Sequence, residues 1–199
     1  TACKQAKYWQ QINVDDFKVS INISVVQLLQ ADFVENVKKI IAKTVVNPKH
    51  IELEITESIL IENFSKCQKI LTQIQGLGIT IAIDDFGVGF SSFSYLTQFS
   101  FDTLKIDQSF VKDLKLNNLN YKVLKNIYQL AKDLDLEVVA EGVEHEEQLI
   151  LLAQFDGAII QGHYFCHALE AEVITNLLSH QSLDVQPIST LFAQQPNMN

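Results

Sequence analysis

Cysteine is scarce in this sequence, and its spacing offers no disulfide or zinc framework. Cys3, Cys67 and Cys166 are odd in number, far apart and without a C-x-x-C pair. This pattern argues against a structural zinc site and fits a reducing cytoplasm. We therefore expect a cytoplasmic protein. Its 199 residues, 47% of them hydrophobic, are enough to bury a full core in one domain.

An excess of positive charge is also lacking. The chain has 15 Lys+Arg against 24 Asp+Glu, which gives a formal net charge of -9. A basic surface for duplex nucleic acid is therefore not expected, and an anionic substrate would need metal ions.

Long apolar runs and a leader sequence are not found either. No apolar stretch approaches the roughly 18 residues that a bilayer span requires. The first residues, TACKQAKYWQQ, do not resemble a signal peptide and include no initiator Met. We expect no membrane segment in this chain and interpret it as a piece of a longer protein.

What the sequence does contain is a regular alternation of strand and helix patterns. Six apolar segments, each followed by helical sequence, recur at intervals of roughly 20 to 30 residues, which predicts a parallel α/β protein. The predicted strands are Phe17–Ser24, Ile51–Thr56, Ile81–Asp85, Phe101–Asp107, Leu136–Glu144 and Gly157–Gly162. The predicted helices are Ala6–Gln11, Val25–Leu29, Ala31–Thr44, Ile61–Gln75, Ser91–Gln98, Asn120–Leu134, Glu146–Gln154 and Leu169–His180.

Polar residues end every predicted strand. In an open sheet these strand ends would lie along a line too long to converge, whereas a barrel brings them to one rim. A (β/α)8 barrel needs eight strands in about 250 residues, so the six predicted here indicate a TIM-like barrel truncated at its N-terminus by about two units. We assign residues 1–180 to this domain and 181–199 to a tail or linker. The strand-end residues are Asn22, Glu54, Asp84, Asp85, Lys105, Glu141 and Gln161.

The most informative stretch is IAIDDFGVGF, Ile81–Phe90. It places two adjacent carboxylates, Asp84 and Asp85, between a buried strand and a glycine-rich turn. Both can face one site only if the backbone turns between them, because successive strand side chains point to opposite faces. Together they would form a site for a hard cation. The alternative is that Asp84 caps the next helix and Asp85 opens a turn.

The donor atoms at this rim favour magnesium or manganese. Asn22, Glu54, Asp84 and Asp85 offer oxygen ligands, and the lack of His or Cys among them argues against zinc. Two ions about 4 Å apart would clamp a phosphodiester and lower the pKa of an attacking water. Lys105 would orient that water or neutralise developing charge.

Six motifs follow one another along the chain: INIS, ELEITES, IDDFGVGFSSF, LKIDQSFV, VAEGVE and IIQGHYF. In this order they resemble one family, the EAL domains, which are bacterial phosphodiesterases of cyclic di-GMP. The resemblance covers about Phe17 to Leu169, and six ordered motifs are far more specific than any one of them.

The resemblance implies hydrolysis of cyclic di-GMP to linear pGpG by a two-metal-ion mechanism. It also implies a homodimer formed near the glycine-rich loop and attached sensory or GGDEF-type domains in the full-length protein. The implied roles, by residue, are Asn22, Glu54, Asp84 and Asp85 as ligands of two Mg²⁺ or Mn²⁺ ions; Lys105, Glu141 and Asp85 in catalysis; Gln161 and Glu144 in substrate binding; and Glu57 as the anchor of the glycine-rich loop.

The sequence also departs from the family pattern. No E-A-L tripeptide, whose glutamate would be a further metal ligand, precedes Asn22, and Val88 stands where the loop usually has Thr. The missing glutamate favours weak or no activity of this particular chain, and one alternative is a non-catalytic cyclic di-GMP receptor. Another, from outside the family, is a magnesium-dependent barrel enzyme acting on an enolisable carboxylate, with Lys105 as the base.

Four polar residues near the motifs have an ordinary structural explanation. We expect Glu52 to face outward and pair with a lysine. His163 and His167 follow the last predicted strand and are interpreted as packing or surface residues. Asp107 either pairs with Lys105 or caps the segment that follows it.

Overall fold

Six parallel strands form one sheet in this computed structural model, and their order in the sheet follows the chain. The structure describes residues 1–12, 17–57, 64–88 and 96–179. The predicted parallel α/β fold is confirmed, as are all six strands. Their bounds are β1 Val19–Asn22, β2 Ile51–Thr56, β3 Thr80–Phe86, β4 Thr103–Ile106, β5 Glu137–Ala140 and β6 Ala158–Ile160.

Within the described residues, helices lie between β1 and β2, between β2 and β3, between β4 and β5, and between β5 and β6. N-cap side chains stabilise the first turn of two helices: Ser24 accepts a hydrogen bond from Gln27 N, and Asn118 accepts one from Tyr121 N. A single 3-10 turn, Pro48–His50, leads directly into β2. The helices are α1 Ala2–Gln11, α2 Val25–Leu28, α3 Phe33–Thr44, α4 Phe64–Gln75, α5 Gln108–Lys112, α6 Leu119–Asp133, α7 Glu146–Leu152 and α8 Ala171–Ser179.

Both faces of strand β2 are buried. Ile51, Leu53 and Ile55 are buried apolar residues on one face, and the intervening Glu52 and Glu54 are 4% and 5% exposed on the other. Burial on both faces is typical of parallel sheets. One face of β2 is therefore apolar and the other carries buried carboxylates, which need partners because an unpaired buried charge is costly.

A contact between the first and fifth strands shows that the sheet is strongly curved. In a flat sheet, four strand spacings would separate β1 from β5 by about 19 Å. Yet Lys18 Nζ, one residue before β1, lies 2.5 Å from Glu137 Oε2 at the start of β5. The face that carries these side chains is therefore concave, as the barrel interpretation predicts.

A layer of polar side chains crosses this concave face near the starts of the strands. Glu52 accepts hydrogen bonds from Ser20 Oγ at 2.8 Å and from Thr103 Oγ1 at 2.7 Å, and Lys18 Nζ lies 3.8 Å away. We call Lys18, Ser20, Glu52, Thr103 and Glu137 the floor layer. The expected lysine partner of Glu52 is present, but its expected outward orientation is wrong, because the opposite face of β2 packs within the apolar core.

The chain divides into two compact units, Thr1–His167 and a second that begins at Ala168. The described part of the second unit is α8, which lies within the predicted helix Leu169–His180. Helix α5 was not predicted. The assignment of residues 1–180 to one domain stays a prediction.

Some predicted segments fall outside the described residues. These are the first part of the helix predicted from Ile61, residues 91–95 of the helix predicted from Ser91, and the tail 181–199. Residues 96–98 form a turn instead of helix. Among the helices of the described ranges, none combines the length and hydropathy that a membrane span requires.

Candidate active site

Lys105 lies at the centre of a group of three carboxylates on the concave face. Its Nζ is 2.6 Å from Glu54 Oε1, 2.6 Å from Glu141 Oε1 and 3.7 Å from Asp84 Oδ1. The lysine side chain is 8% exposed, and those of Glu54, Asp84 and Glu141 are 7%, 13% and 22% exposed. Four of the predicted site residues, from four strand ends, therefore converge on one buried cluster.

Strand periodicity explains why this cluster lies directly above the floor layer. Glu54 follows Glu52 by two positions on β2, and Lys105 follows Thr103 by two positions on β4. Residues two apart on a strand share a face, so the same concave surface carries both layers. The Lys105 cluster and the floor layer are therefore two successive layers of side chains on the concave face, as in the interior of a barrel.

Lys105 is held in its charged form. Burial by itself would lower the pKa of the Lys105 ammonium, but the hydrogen bonds to Glu141 and Glu54 outweigh it and raise the pKa well above its ordinary value of 10.5. At neutral pH the group is therefore a fixed positive charge that can donate hydrogen bonds. A role as proton acceptor requires a free base, which this environment disfavours.

Two carboxylates at the site have the opposite tendency. Burial raises the pKa of Glu141, and the nearby charges of Asp84 and Glu54 raise it further, although Lys105 lowers it. Burial also raises the pKa of Asp85, with additional contributions from Asp84 and Asp107. Both shifts have the direction expected of groups that take up a proton more readily than a solvated carboxylate.

The backbone turns at the aspartate pair, as predicted. Asp85 has φ of 54°, a left-handed conformation that is uncommon for a residue other than glycine. The pairing of β3 with β4 shifts register between Ile83 and Phe86, and Asp84 Oδ1 accepts a hydrogen bond from Asp85 N at 2.9 Å. Strain of this kind is concentrated at functional sites, where surrounding structure maintains it.

Glu57 contacts the start of the glycine-rich loop. Its side chain is 2% exposed, and Oε2 accepts a hydrogen bond from Gly87 N at 3.4 Å. The other oxygen, Oε1, is buried and has no hydrogen-bond partner among the described residues. The contact supports the predicted anchoring role, which stays a prediction.

Three further predicted site residues, Asn22, Gln161 and Glu144, are exposed. Asn22 is in register with Glu54 across the β1–β2 pair but is exposed. Gln161 is also exposed, and its backbone bonds to Ala140 and Val143. The Glu144 side chain is 59% exposed and lies 3.9 Å from His163 Nδ1. No described side-chain contact joins Asn22, Gln161 or Glu144 to Lys105.

The structure also shows the surroundings of Asp107, which was expected either to pair with Lys105 or to cap the following segment, and of His163 and His167. Asp107 is the N-cap of α5 and accepts a hydrogen bond from Ser109 N at 2.9 Å, which is the capping alternative. His163 and His167 contact each other with ring centroids 4.2 Å apart, and His163 is exposed. Both histidines thus fit the surface interpretation.

The chemistry of the donor set fits magnesium or manganese, since Asn22, Glu54, Asp84 and Asp85 offer oxygen atoms alone. In the described ranges, however, no three His, Cys, Asp or Glu side chains are placed so that together they could hold a metal ion. Lys105 already lies between Glu54 and Asp84 and satisfies part of their charge. The two-ion centre therefore stays a prediction.

Two buried polar residues near the site were missed by the motif analysis. Glu52 was interpreted as an outward residue, and Gln148 was assigned to a helix without a role. Both are 4 to 5% exposed. The signal for Glu52 was its position two residues before Glu54, which places both on one face. For Gln148 the sequence signal is a Gln three residues after His145, which the structure shows to be the N-cap of α7.

A curved parallel sheet with acidic groups and a lysine at the carboxyl ends of its strands places the chain in the class of TIM-like barrel folds. The family model of the EAL domain matches residues 1–168. The chain belongs to the EAL domain family, as the ordered motifs predicted.

Known relatives include phosphodiesterases of cyclic di-GMP. The chain is 33% identical over 171 residues to MucR of Pseudomonas aeruginosa, a bifunctional diguanylate cyclase/cyclic di-GMP phosphodiesterase. That match covers 86% of this chain and 25% of MucR. The chain thus spans only a quarter of the length of this curated relative.

Solved structures resemble the chain closely. The EAL domain of Mycobacterium smegmatis DcpA has a TM-score of 0.84 at 33% identity, covering 90% of this chain and 81% of that one. PaMucR phosphodiesterase in complex with c-di-GMP has a TM-score of 0.83 at 32% identity, covering 87% and 70%. Klebsiella pneumoniae BlrP1, solved with manganese and c-di-GMP, has a TM-score of 0.73 at 28% identity, covering 82% and 41%.

Proposed function

We propose that this chain is the phosphodiesterase part of a protein that hydrolyses cyclic di-GMP to linear pGpG. The observation that carries the proposal is the buried Lys105 ammonium, 2.6 Å from both Glu54 and Glu141 at the ends of parallel strands. A fixed positive charge in a buried site stabilises the negative charge that develops when a phosphodiester is attacked. Membership of the EAL family, with MucR among the relatives, supports the choice of substrate.

The proposed reaction exchanges one ester bond for one bond to water. The oxygen of a water bonds to phosphorus, the bond from phosphorus to one sugar oxygen breaks, and that sugar oxygen takes up a proton. Glu141 is placed to accept the proton that the water loses, since burial raises its pKa. Lys105, bonded to Glu141, orients that carboxylate and offsets the charge of the phosphate oxygens.

The oxygen donors Asn22, Glu54, Asp84 and Asp85 would hold Mg²⁺ or Mn²⁺. When bound, two such ions would lower the pKa of the attacking water and offset charge on the phosphate. The left-handed backbone of Asp85 supports this assignment, because it allows consecutive carboxylates to serve one centre. Gln161 and Glu144, which are both exposed, would contact the substrate.

A cyclic di-GMP receptor without turnover is the second candidate. It is favoured by the observation that no three of the described acidic, His or Cys side chains are placed to hold a metal ion together. The magnesium-dependent barrel enzyme that acts on an enolisable carboxylate has less support. Its base would be Lys105, and although burial alone would lower the pKa of Lys105, the hydrogen bonds to Glu141 and Glu54 raise it. A lysine that keeps its proton is a poor base.

One experiment separates these functions. The chain is incubated with cyclic di-GMP and Mn²⁺, and pGpG is followed by chromatography, while binding is measured separately in Ca²⁺. The phosphodiesterase predicts turnover that EDTA and Asp84→Ala abolish and that Asp156→Asn, at an exposed position, leaves unchanged. Binding without turnover would favour the receptor, and absence of both would contradict each proposal.

A further inference from the structure

The segment Glu141–His145, which follows β5, is tied to the neighbouring strand exits by its backbone. Glu141 N donates to Ile106 O at 3.2 Å, and Val143 N donates to Gln161 O at 3.2 Å. The segment is thus bonded to the ends of β4 and β6 on either side. Because Ile106 follows Lys105 on β4, the bond from Glu141 N fixes the position of the segment relative to Lys105.

Two glycines make this close packing possible. Gly142 has φ of 73°, and a Cβ at this position would lie 2.4 Å from Gln108 Cβ. A Cβ on Gly162 would lie 2.0 Å from Val143 O and 2.4 Å from Val143 N. All three distances are far below van der Waals contact, so the start of α5 and the exit of β6 pack against this segment through surfaces that only glycine allows.

A single buried side chain completes the arrangement. Gln148, on α7, is 5% exposed. Its Oε1 accepts hydrogen bonds from Glu144 N at 2.8 Å and from His145 N at 2.9 Å. Its Nε2 donates to Val111 O at 3.0 Å and to Lys112 O at 3.3 Å.

These four bonds use the full capacity of the Gln148 amide, which has two acceptor sites and two donor hydrogens. They connect the end of α5, which follows the strand of Lys105, to the end of the segment that begins with Glu141. Buried polar groups that are fully satisfied in this way fix one arrangement of the elements they join.

We propose that Gln148 is a positioning residue, which holds the segment Glu141–His145 so that the Glu141 carboxylate stays 2.6 Å from Lys105 and Glu144 faces the substrate. This inference rests on the proposed function. Gln148 itself touches neither Lys105 nor Glu141 among its described contacts. It acts through the backbone, and small displacements of a reacting group lower the rate strongly.

The test uses two variants of Gln148 and one matched control. Gln148→Met keeps the length of the side chain and removes all four bonds. Gln148→Glu keeps the two acceptor bonds and loses both donors. Gln129→Met, on α6, removes an exposed glutamine whose described hydrogen bond is to Asp133. Hydrogen exchange of the Glu144 and His145 amides is measured together with kcat and KM for cyclic di-GMP in Mn²⁺.

In Gln148→Met, the amide hydrogens of Glu144 and His145 should exchange at least about tenfold faster than in wild type. The kcat should fall about tenfold, and KM should change much less. Gln148→Glu should restore amide protection and part of kcat, and Gln129→Met should change neither. The proposal requires protection and kcat to move together in both variants, so a change in one without the other overturns it. If Gln148→Met does not fold, Gln148→Glu decides by the same criterion.

Binding and turnover by the wild-type chain distinguish a failure of the proposed function from a failure of the role proposed for Gln148. If wild type binds cyclic di-GMP in Ca²⁺ without turnover in Mn²⁺, the phosphodiesterase is wrong, and affinity replaces kcat as the second readout for Gln148. If wild type neither binds nor hydrolyses the nucleotide, the positioning role fails together with the proposed function.

Discussion

Lys105 on β4 and Glu54 on β2 form a 2.6 Å ion pair across the concave face of the sheet. In a flat sheet the two strands would lie about 10 Å apart, and the two long side chains bridge this separation over the intervening strand β3. Because both side chains are at least 92% buried, neither charge is compensated by solvent. The pair therefore links the stability of the sheet to the charge balance of the candidate site.

Replacing Lys105 should destabilise the protein and abolish turnover. Lys105→Met keeps the length of the side chain but leaves Glu54, Asp84 and Glu141 without their shared cation. Removing one partner of a buried ion pair costs about 3–5 kcal/mol, which denaturant unfolding in EDTA would measure. Added Mn²⁺ should recover part of this loss if these carboxylates bind the ion.

A matched control for this substitution is Lys132→Met. Lys132 pairs with Asp156, and their side chains are 67% and 90% exposed. An exposed pair contributes less than about 1 kcal/mol, so this variant should unfold close to wild type and respond little to Mn²⁺. Equal destabilisation by the two substitutions would contradict the central role of Lys105.

The floor layer should contribute to stability without taking part in the reaction. Glu52→Ala leaves the hydroxyls of Ser20 and Thr103 without their carboxylate acceptor and should lower the free energy of unfolding by about 2–3 kcal/mol. Glu52→Gln retains one oxygen acceptor and should cost less. Thermal unfolding measures both. Glu35→Ala, which removes an exposed pair with Lys38, is the control and should leave the melting temperature unchanged.

The close approach at Gly162 can be separated from backbone strain by comparing two glycines. Gly162→Ala would place a methyl group 2.0 Å from Val143 O, so we expect a loss of at least about 2–3 kcal/mol from overpacking. Gly157 has φ of 75° and nothing within 4 Å of an added Cβ. Gly157→Ala should cost only the left-handed strain of about 1–2 kcal/mol. Equal losses in denaturant unfolding would contradict the clash at Gly162.

Two tyrosines contact Phe155, and replacing each by Phe should change the free energy of unfolding in opposite directions. The Tyr128 hydroxyl is buried and has no hydrogen-bond partner among the described residues, whereas Tyr121 donates a 2.8 Å hydrogen bond to Gln154. Tyr128→Phe should therefore raise the free energy of unfolding by about 1 kcal/mol, and Tyr121→Phe should lower it slightly. Denaturant unfolding of both variants at neutral pH measures the signs, and destabilisation by Tyr128→Phe would contradict the account.

The same hydroxyl predicts a pH dependence. Burial raises the pKa of Tyr128 above its ordinary value of 10.0, so the folded chain keeps a proton that the unfolded chain loses. Ionisation of this hydroxyl does not affect the free energy of unfolding below pH 10, and it lowers that free energy as pH rises above 10. Wild type should lose stability more steeply than Tyr128→Phe above this pH, and parallel curves would show that the hydroxyl does not titrate in this way.

Much of the fold could be predicted because the periodicity of two along each strand is strong and local. The alternation that identified Ile51–Thr56 as a strand cannot, however, say what covers each face. Glu52 was therefore assigned to solvent, although contacts with Ser20 and Thr103, far away in sequence, bury it.

Part of the candidate site was predictable for a related reason. Strand ends in a parallel barrel meet at one rim, which is why Lys105, Glu54, Asp84 and Glu141 could be grouped before their distances were known. The role of Gln148 was hidden because it depends on the carbonyls of Val111 and Lys112, which no side-chain pattern reveals. Helix α5 was missed because a helix of five residues has too few positions to display a period.

The most direct test of the account compares two glutamates on the same strand, Glu54 in the site cluster and Glu52 in the floor layer. Release of pGpG from cyclic di-GMP in Mn²⁺ is measured for wild type, Glu54→Gln and Glu52→Gln at matched folded fractions. Glu54→Gln should lose at least about a hundredfold in turnover, while Glu52→Gln should stay near wild type. Equal activity of the two variants, or full activity of Glu54→Gln, would contradict the account.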